Sequence, residues 1–218
     1  MSQGKSVGNS KVDEKDTCDF YTNETIKGWY KDYIKTLLNH TNYYTGEKLM
    51  DSEAVFSWEL SNEPRCTVDE FCKDDILYNW AKEMSAYVKS IDPYHMVSVG
   101  DEGFYNLGYQ EAARQDLPSS AYSGYYGVDF DDDDLEWIKR HAQTTSSADK
   151  PIIFEEFGLT DKTKRDAAYS DWLDIVTGDY YEGVEYQGFN YWMIASYLDD
   201  GTLYQDYDGY TVYGPEGI

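Results

Sequence analysis

Basic residues are scarce in this sequence: its 218 residues include 18 lysines and arginines against 42 aspartates and glutamates. The formal net charge of −24 would repel nucleic acids and anionic membrane surfaces, which argues against both as partners. A neutral ligand or a basic partner is compatible with this charge.

Long apolar runs are missing as well. No stretch approaches the roughly 20 apolar residues of a membrane-spanning helix. The N-terminus also lacks the charged and then apolar pattern of a signal peptide, so the sequence predicts a soluble chain. Hydrophobic residues still make up 41% of the sequence, which is enough for one domain with a sizeable core.

Cysteine is rare, and two common sequence signatures do not occur. Three cysteines are too few for a disulfide scaffold; Cys66 and Cys72 could bridge within one loop, which leaves Cys18 without a partner. No internal repeat has a fixed period. No Gly-x-Gly-x-x-Gly signature follows a predicted strand, which argues against a dinucleotide-binding fold.

The chain does contain alternating helical and strand patterns. Apolar residues at three- and four-residue steps predict helices over 23–39, 69–90 and 162–176 and behind the acidic run 129–136. That run suits the positive end of a helix, with a calcium site as the alternative reading. Short β-forming segments predict four strands, which start near Ala54, Met96, Pro151 and Gln187.

Strands that alternate with helices of this length are typical of parallel βαβ units. The predicted fold class is therefore α/β, a (β/α)8 TIM barrel. Eight strands would be needed to close it, so we expect the barrel to be incomplete in this chain. Residues 1–19 are predicted to be a mobile polar leader, and residues 20–218 to form the partial barrel.

Two of the predicted strands end in a carboxylate. The strand from Ala54 leads into Asn62-Glu63-Pro64, and the strand from Pro151 leads into Glu155-Glu156. Barrel enzymes carry their catalytic groups at the carboxyl ends of the strands. Two carboxyl groups about 5–5.5 Å apart cleave a glycosidic bond with retention and need no metal or other cofactor. Glu63 and one acid of the Glu155-Glu156 pair are therefore the candidate catalytic pair.

The segment around Glu63, Trp-Glu-Leu-Ser-Asn-Glu-Pro-Arg-Cys at 58–66, resembles the fourth-strand motif of fungal and plant endo-β-1,4-mannanases of glycoside hydrolase family 5. Phe-Glu-Glu-Phe-Gly at 154–158 resembles their seventh-strand motif, and the similarity covers most of 20–213. The resemblance implies retaining endo-hydrolysis of β-1,4-mannosidic bonds in mannan. It also implies that residues 20–218 are a glycoside hydrolase catalytic barrel.

Four residues receive roles in the sugar site from this resemblance. Glu63 matches the general acid/base and Glu156 the nucleophile. Asn62 matches the residue that hydrogen-bonds the sugar 2-hydroxyl and the nucleophile, and Trp192 matches the aromatic floor under the sugar.

Four further residues are assigned in the same way. Arg65 and Glu102 match contacts to the leaving-group side, although each could instead be a salt-bridge residue at the strand mouth. Cys66 and Cys72 resemble the family's short disulfide loop.

The sequence departs from the family pattern in two respects. The first three strands and the sixth strand are not found. The family's sixth-strand His-x-Tyr pair is absent too, and none of His40, His95 and His141 replaces it. An inactive barrel remnant that only binds polysaccharide, or a related β-1,4-glucanase, are therefore the alternative functions.

The resemblance further implies the partners and the location of the protein. The expected partners are β-mannan polysaccharide or manno-oligosaccharides. Secretion is expected, and a monomer if the barrel is complete.

Overall fold

The computed structural model describes residues 14–64, 76–100, 132–178 and 186–214. The chain divides into two compact units, an N-terminal unit, Met1–Gly108, and a C-terminal unit, Tyr109–Ile218, where the sequence predicts a single barrel domain. Each unit has its own apolar core. None of the helices in the described ranges is long and apolar enough to cross a membrane.

The N-terminal unit contains a βαβ element preceded by two helices. Strands β1 (Ser57–Glu59) and β2 (Met96–Ser98) pair in parallel, with Trp58 opposite Val97, and α3 (Ile76–Ile91) connects them as predicted. The predicted helix 69–90 is seen from Ile76 onward, since residues 65–75 lie outside the described ranges. The elements are α1 (Glu14–Thr22), α2 (Glu24–Leu38), a 3-10 turn (Leu49–Asp51), β1 (Ser57–Glu59), α3 (Ile76–Ile91) and β2 (Met96–Ser98).

Helix α2 confirms the prediction over 23–39. Asn23 caps it, because its side-chain oxygen accepts hydrogen bonds from the backbone N–H groups of Thr25, at 2.9 Å, and Ile26. Its apolar face buries Ile34 and Leu38. That spacing of four residues puts both side chains on one side of the helix.

An aromatic cluster fills the core of the N-terminal unit around Trp80. The Trp80 ring meets the rings of Tyr21, Tyr30 and Phe20 at centroid distances of 5.3, 5.7 and 5.8 Å. Tyr21 meets Trp80 edge to face, and aromatic contacts at these distances add to the free energy of burial. Tyr30 also donates its hydroxyl hydrogen to the carbonyl of Leu60, just past β1. The helices are thereby fixed to the end of the strand.

The predicted leader is too long. Helix α1 begins at Glu14, so residues 14–19 belong to the folded unit, and residues 1–13 lie outside the described ranges. The misassignment arose because α1 is polar and short. Phe20 and Tyr21 pack against Trp80 and supply the tertiary contacts that stabilise it.

Cys18 on α1 is disulfide-bonded, so the expectation that it lacks a partner is wrong. Its partner lies outside the described residues, as do Cys66 and Cys72. The chain has three cysteines, so a bond from Cys18 to either of the others would leave no Cys66–Cys72 pair.

The C-terminal unit contains a second parallel βαβ element, in which α5 (Arg165–Thr177) connects β3 (Ile153–Phe157) to β4 (Gly188–Tyr191). The strand predicted over 187–194 is divided: β4 pairs with β3, and β5 (Ile194–Ala195) pairs with the unpredicted β6 (Val212–Tyr213). Ile138, Phe157 and Trp172 lie at the centre of the core. The elements are α4 (Asp132–Ser147), β3 (Ile153–Phe157), α5 (Arg165–Thr177), β4 (Gly188–Tyr191), β5 (Ile194–Ala195) and β6 (Val212–Tyr213).

Candidate active site

Glu63 lies just beyond the carboxyl end of β1. Its backbone N–H donates to the carbonyl of Gly100, at 2.9 Å, and Leu60 makes the equivalent bond to Ser98 at 3.0 Å. The pairing of β1 and β2 thus continues past both strands and holds Glu63 in place. Asn62 is exposed and Pro64 is buried, so the chain presents its polar groups outward at this end.

The backbone of Glu63 has a φ of +47°, in the left-handed region that non-glycine residues seldom adopt. Gly100 opposite it has a φ of +71°, and a Cβ there would lie 2.1 Å from the carbonyl oxygen of Ser61. Only glycine allows the segments around Ser61 and Gly100 to approach each other this closely. The turn that carries Glu63 therefore depends on Gly100.

The buried carboxylate of Asp92 supports strand β1 through a hydrogen bond from Trp58. It accepts a hydrogen bond from the Trp58 indole N–H at 2.7 Å and from the backbone N–H groups of Tyr94 and His95 at 3.0 and 3.1 Å. The His95 ring Nδ1 lies 2.6 Å from the same carboxylate. Burial alone would raise the pKa of Asp92, but these hydrogen bonds hold that pKa below its ordinary value. Asp92 lies just past the predicted helix 69–90 and was not predicted to support the site.

Glu156 lies in a β-bulge near the end of β3. Phe154 pairs with Phe189 and Phe157 pairs with Tyr191, so β3 has one residue more than β4 between these pairs. The φ of Glu156 is +53°, which is also left-handed. A bulge residue in this conformation redirects its side chain, and bulges of this kind occur next to active sites.

The bulge also explains how β3 packs. Residues three apart point to opposite faces of a regular strand. Phe154 and Phe157 are nevertheless stacked, with ring centroids 4.4 Å apart and planes 7° apart, and both pack in the core. Glu155 and Glu156 are both exposed as a result. Backbone conformation, rather than burial, distinguishes Glu156 from its neighbour.

Trp192 lies beside the end of β3, one residue past β4. Its backbone N–H donates to the carbonyl of Phe157 at 2.9 Å, and its indole N–H donates to Asp208 at 2.7 Å. A Cβ on Gly158 would lie 2.5 Å from the Trp192 carbonyl oxygen and 2.6 Å from the Tyr210 ring, so this packing requires glycine. Trp192 is 42% exposed, which leaves surface for a ligand.

The loop after β5 passes beside Trp192, and the buried guanidinium group of Arg165 holds this loop in place. The Arg165 guanidinium donates to the carbonyls of Leu159, Gly209 and Thr211 at 2.8, 2.8 and 3.0 Å. It therefore joins the chain after β3 to residues 209–211. Sequence analysis missed Arg165, which lies in a helical pattern and whose partners are distant in sequence.

Asp206 lies in the same loop and stabilises its conformation through hydrogen bonds. Its carboxylate accepts from Lys162 at 2.9 Å and from the backbone N–H groups of Gly209 and Thr211 at 2.8 and 3.3 Å. Desolvation alone would raise the pKa of Asp206, but the hydrogen bonds outweigh it and lower that pKa to about 2. The carboxylate is thus ionised at neutral pH.

The predicted site residues are located as follows. Asn62 and Glu63 lie together at the end of β1, and Glu156 and Trp192 lie at the ends of the paired strands β3 and β4. Arg65, Glu102, Cys66 and Cys72 lie outside the described residues. The roles of Arg65 and Glu102 stay predictions, whereas the predicted Cys66–Cys72 pair is incompatible with a bond from Cys18 to either of these cysteines. Within the described ranges, no group of three or more His, Cys, Asp or Glu side chains is suited to hold a metal ion.

A protein-family model described as GH family 5 beta-mannosidase-like matches residues 6–116. The chain belongs to this family. The resemblance inferred from the motifs at 58–66 and 154–158 is thereby confirmed.

Curated relatives extend the match to most of the chain. A probable mannan endo-1,4-beta-mannosidase F of Emericella nidulans is 38% identical over 64% of this chain and 34% of that protein. A putative mannan endo-1,4-beta-mannosidase 4 of Arabidopsis thaliana is 32% identical over 82% of this chain and 52% of its own length. The chain therefore spans about a third to a half of the curated relatives that it matches.

Solved structures of similar sequence share the fold. An endo-beta-1,4-mannanase from Thermotoga petrophila is 30% identical, with a TM-score of 0.72 over 89% of this chain and 48% of that one. An endo-1,4-beta-mannanase from Rhizomucor miehei is 32% identical, with a TM-score of 0.66 over 89% and 58%. Family 5 mannanases have the (β/α)8 fold, which confirms the predicted fold class. Which strands are missing stays a prediction.

Proposed function

We propose that this chain carries the catalytic residues of a retaining endo-β-1,4-mannanase. One observation about the backbone supports this most strongly. Three non-glycine residues in the described ranges have positive φ, and two of them, Glu63 and Glu156, are the acids that the motifs single out. Strained backbone of this kind costs about 1–3 kcal/mol per residue and is concentrated at functional sites.

In the proposed mechanism the two acids act in sequence. The Glu63 carboxyl group protonates the oxygen of the leaving mannosyl chain while the Glu156 carboxylate attacks the anomeric carbon. Water then cleaves the glycosyl–Glu156 ester, with the Glu63 carboxylate removing its proton. Two inversions at the anomeric carbon give net retention.

The neighbouring residues bind the sugar in this proposal. The exposed indole of Trp192 supports the apolar face of the ring that is cleaved. Asn62 hydrogen-bonds the 2-hydroxyl group. The names of the relatives favour mannan over glucan as the substrate.

The test is release of reducing ends from soluble mannan and from a soluble β-glucan by the purified chain. Glu63→Gln should lower the rate on mannan by about 10²–10⁴-fold, because that is the usual contribution of general acid–base catalysis. Glu156→Gln should lower it at least as much. Glu155→Gln is the matched control, since Glu155 is the adjacent, equally exposed acid, and it should keep most of the activity.

The outcomes separate the candidate functions. Mannan hydrolysis lost in both Gln variants supports the proposal, and β-configured first products in a proton NMR time course establish retention. A preference for glucan would indicate the glucanase. Folded, monomeric wild-type protein that binds mannohexaose without cleaving it would be the inactive remnant and would overturn the proposal.

We also propose that the protein is secreted, because Cys18 is disulfide-bonded and disulfides persist mainly in oxidising compartments. Peptide mapping without reduction should recover Cys18 in a cross-linked pair and identify its partner. A fully reduced Cys18 in protein from an oxidising host would contradict this proposal.

A further inference from the structure

We propose that Asp208 is the positioning residue for Trp192, and that its carboxylate fixes the plane of the indole on which the sugar would rest. The inference rests on the proposed function, since it concerns the same site. Asp208 belongs to no motif that sequence analysis singled out.

The contact is specific to one atom of each side chain. The Trp192 indole has a single N–H donor, and it points to the Asp208 Oδ2 at 2.7 Å. A bond from N–H to an ionised carboxylate is stronger than a neutral one. Trp192 is 42% exposed, so packing does not enclose its ring, and this bond helps to fix the orientation of the indole.

The carboxylate is itself held in place. The Asp208 Oδ1 accepts from the backbone N–H of Tyr210 at 3.0 Å, and the Tyr210 ring lies against Gly158, two residues after Glu156. The same loop is anchored by Arg165, which donates to the carbonyl of Gly209. Asp208 therefore connects the indole to the framework that carries Glu156.

Orientation matters here because stacking on a sugar requires the aromatic plane to be parallel to the ring. Loss of the residue that supports the aromatic ring lets the ring rotate. The site then binds the sugar more weakly, although every residue that contacts the sugar is still present. Loss of this orientation should weaken sugar binding by about 2- to 10-fold, the range of one net hydrogen bond.

A double-mutant cycle tests the inference, with Asp208→Ala, Trp192→Phe and the double variant. Binding of mannohexaose is measured by calorimetry with all variants in the Glu156→Gln background, which prevents its hydrolysis, and solvent exchange of the Trp192 indole proton by NMR with ¹⁵N-labelled tryptophan. Asp208→Ala should weaken binding by about 2- to 10-fold and speed the exchange. In the Trp192→Phe background, which lacks the N–H donor, it should have no further effect.

Asp200→Ala is the matched control. Asp200 lies in the same loop region and makes a similar turn, since it accepts from the backbone N–H and the hydroxyl of Thr202 at 2.9 and 2.6 Å. The indole N–H of Trp192 donates to Asp208 and not to Asp200. This control should leave both readouts unchanged.

Additive losses in the double variant would mean that Asp208 acts through Tyr210 and would overturn the inference. Unchanged exchange of the Trp192 proton in Asp208→Ala would overturn it as well. A wild-type protein that does not bind mannohexaose would refute the proposed function instead. The indole proton would then still show whether Asp208 fixes the ring.

Discussion

The two units hold a glutamate in the same unusual backbone conformation by different means. In the N-terminal unit, Glu63 is held by a backbone bond to Gly100, and the buried anion Asp92 supports its strand. In the C-terminal unit, Glu156 is in a bulge, and the buried cation Arg165 fixes the adjoining loop. Both units thus have a glutamate in the left-handed conformation, whereas the residues that hold it differ. We infer that the backbone adopts this conformation in order to position the glutamate side chain.

The largest effect is expected from filling the space at Gly100. Gly100→Ala adds left-handed strain of about 1–3 kcal/mol and a clash with the Ser61 carbonyl that costs about 1–3 kcal/mol more. The free energy of unfolding should fall by the sum, measured as a shift of the urea midpoint.

Gly46→Ala is the control, because Gly46 has the same φ of +71° with nothing within 4 Å of its Cβ position. It should show the strain alone. Equal losses in the two variants would mean that the close approach to Ser61 contributes nothing.

Removing the buried anion should be nearly as damaging. Asp92→Ala leaves the Trp58 indole and two backbone N–H groups without their acceptor, and one unsatisfied buried group alone costs about 1–3 kcal/mol. We expect a loss near the top of that range in urea unfolding. Asp92→Asn keeps one acceptor oxygen and should recover part of the loss; no recovery would indicate that the charge is decisive.

Local patterns in the sequence predicted the elements well. Helix α2 and strands β2 and β3 follow from the spacing of apolar residues, which the folded chain uses directly. The motifs also located Glu63 and Glu156 at strand ends. Strand β6 was not predicted, and β5 was predicted only as part of a longer strand, because two residues cannot show an alternating pattern.

The supports could not be predicted, because their partners are distant in the chain. Asp92 accepts from Trp58, 34 residues away, and Arg165 donates to Thr211, 46 residues away. The bulge was equally hidden, since a regular strand would put Phe154 and Phe157 on opposite faces. Tertiary contacts of this kind leave no local signature in the sequence.

Acid should weaken both units through their carboxylates. The pKa of Asp206 is lowered to about 2, and that of Asp92 is also lowered. A group with a lowered folded-state pKa stabilises the protein above its unfolded pKa of about 4, and this contribution is lost as the pH falls toward the folded value. The melting temperature should therefore fall between pH 4 and pH 2.

Asp206→Asn should reduce the part of this fall that comes from the C-terminal unit, because the amide does not titrate. Asp199→Asn provides a comparison, because Asp199 is an exposed acid of the same unit. An identical pH profile for wild type and Asp206→Asn would contradict the assignment of the acid effect to Asp206.

The smallest effect concerns the strained glutamate itself. A left-handed residue is relieved by glycine, so Glu156→Gly should be more stable than Glu156→Ala by about 1 kcal/mol. Glu155 is the matched control, because it is the adjacent exposed glutamate with no positive φ, and there glycine should be less stable than alanine. Urea unfolding of the four variants measures both differences. If the glycine variant is less stable than the alanine variant at both positions, the backbone of Glu156 is not strained. The left-handed conformation shared by Glu63 and Glu156 would then be no evidence that the backbone positions their side chains.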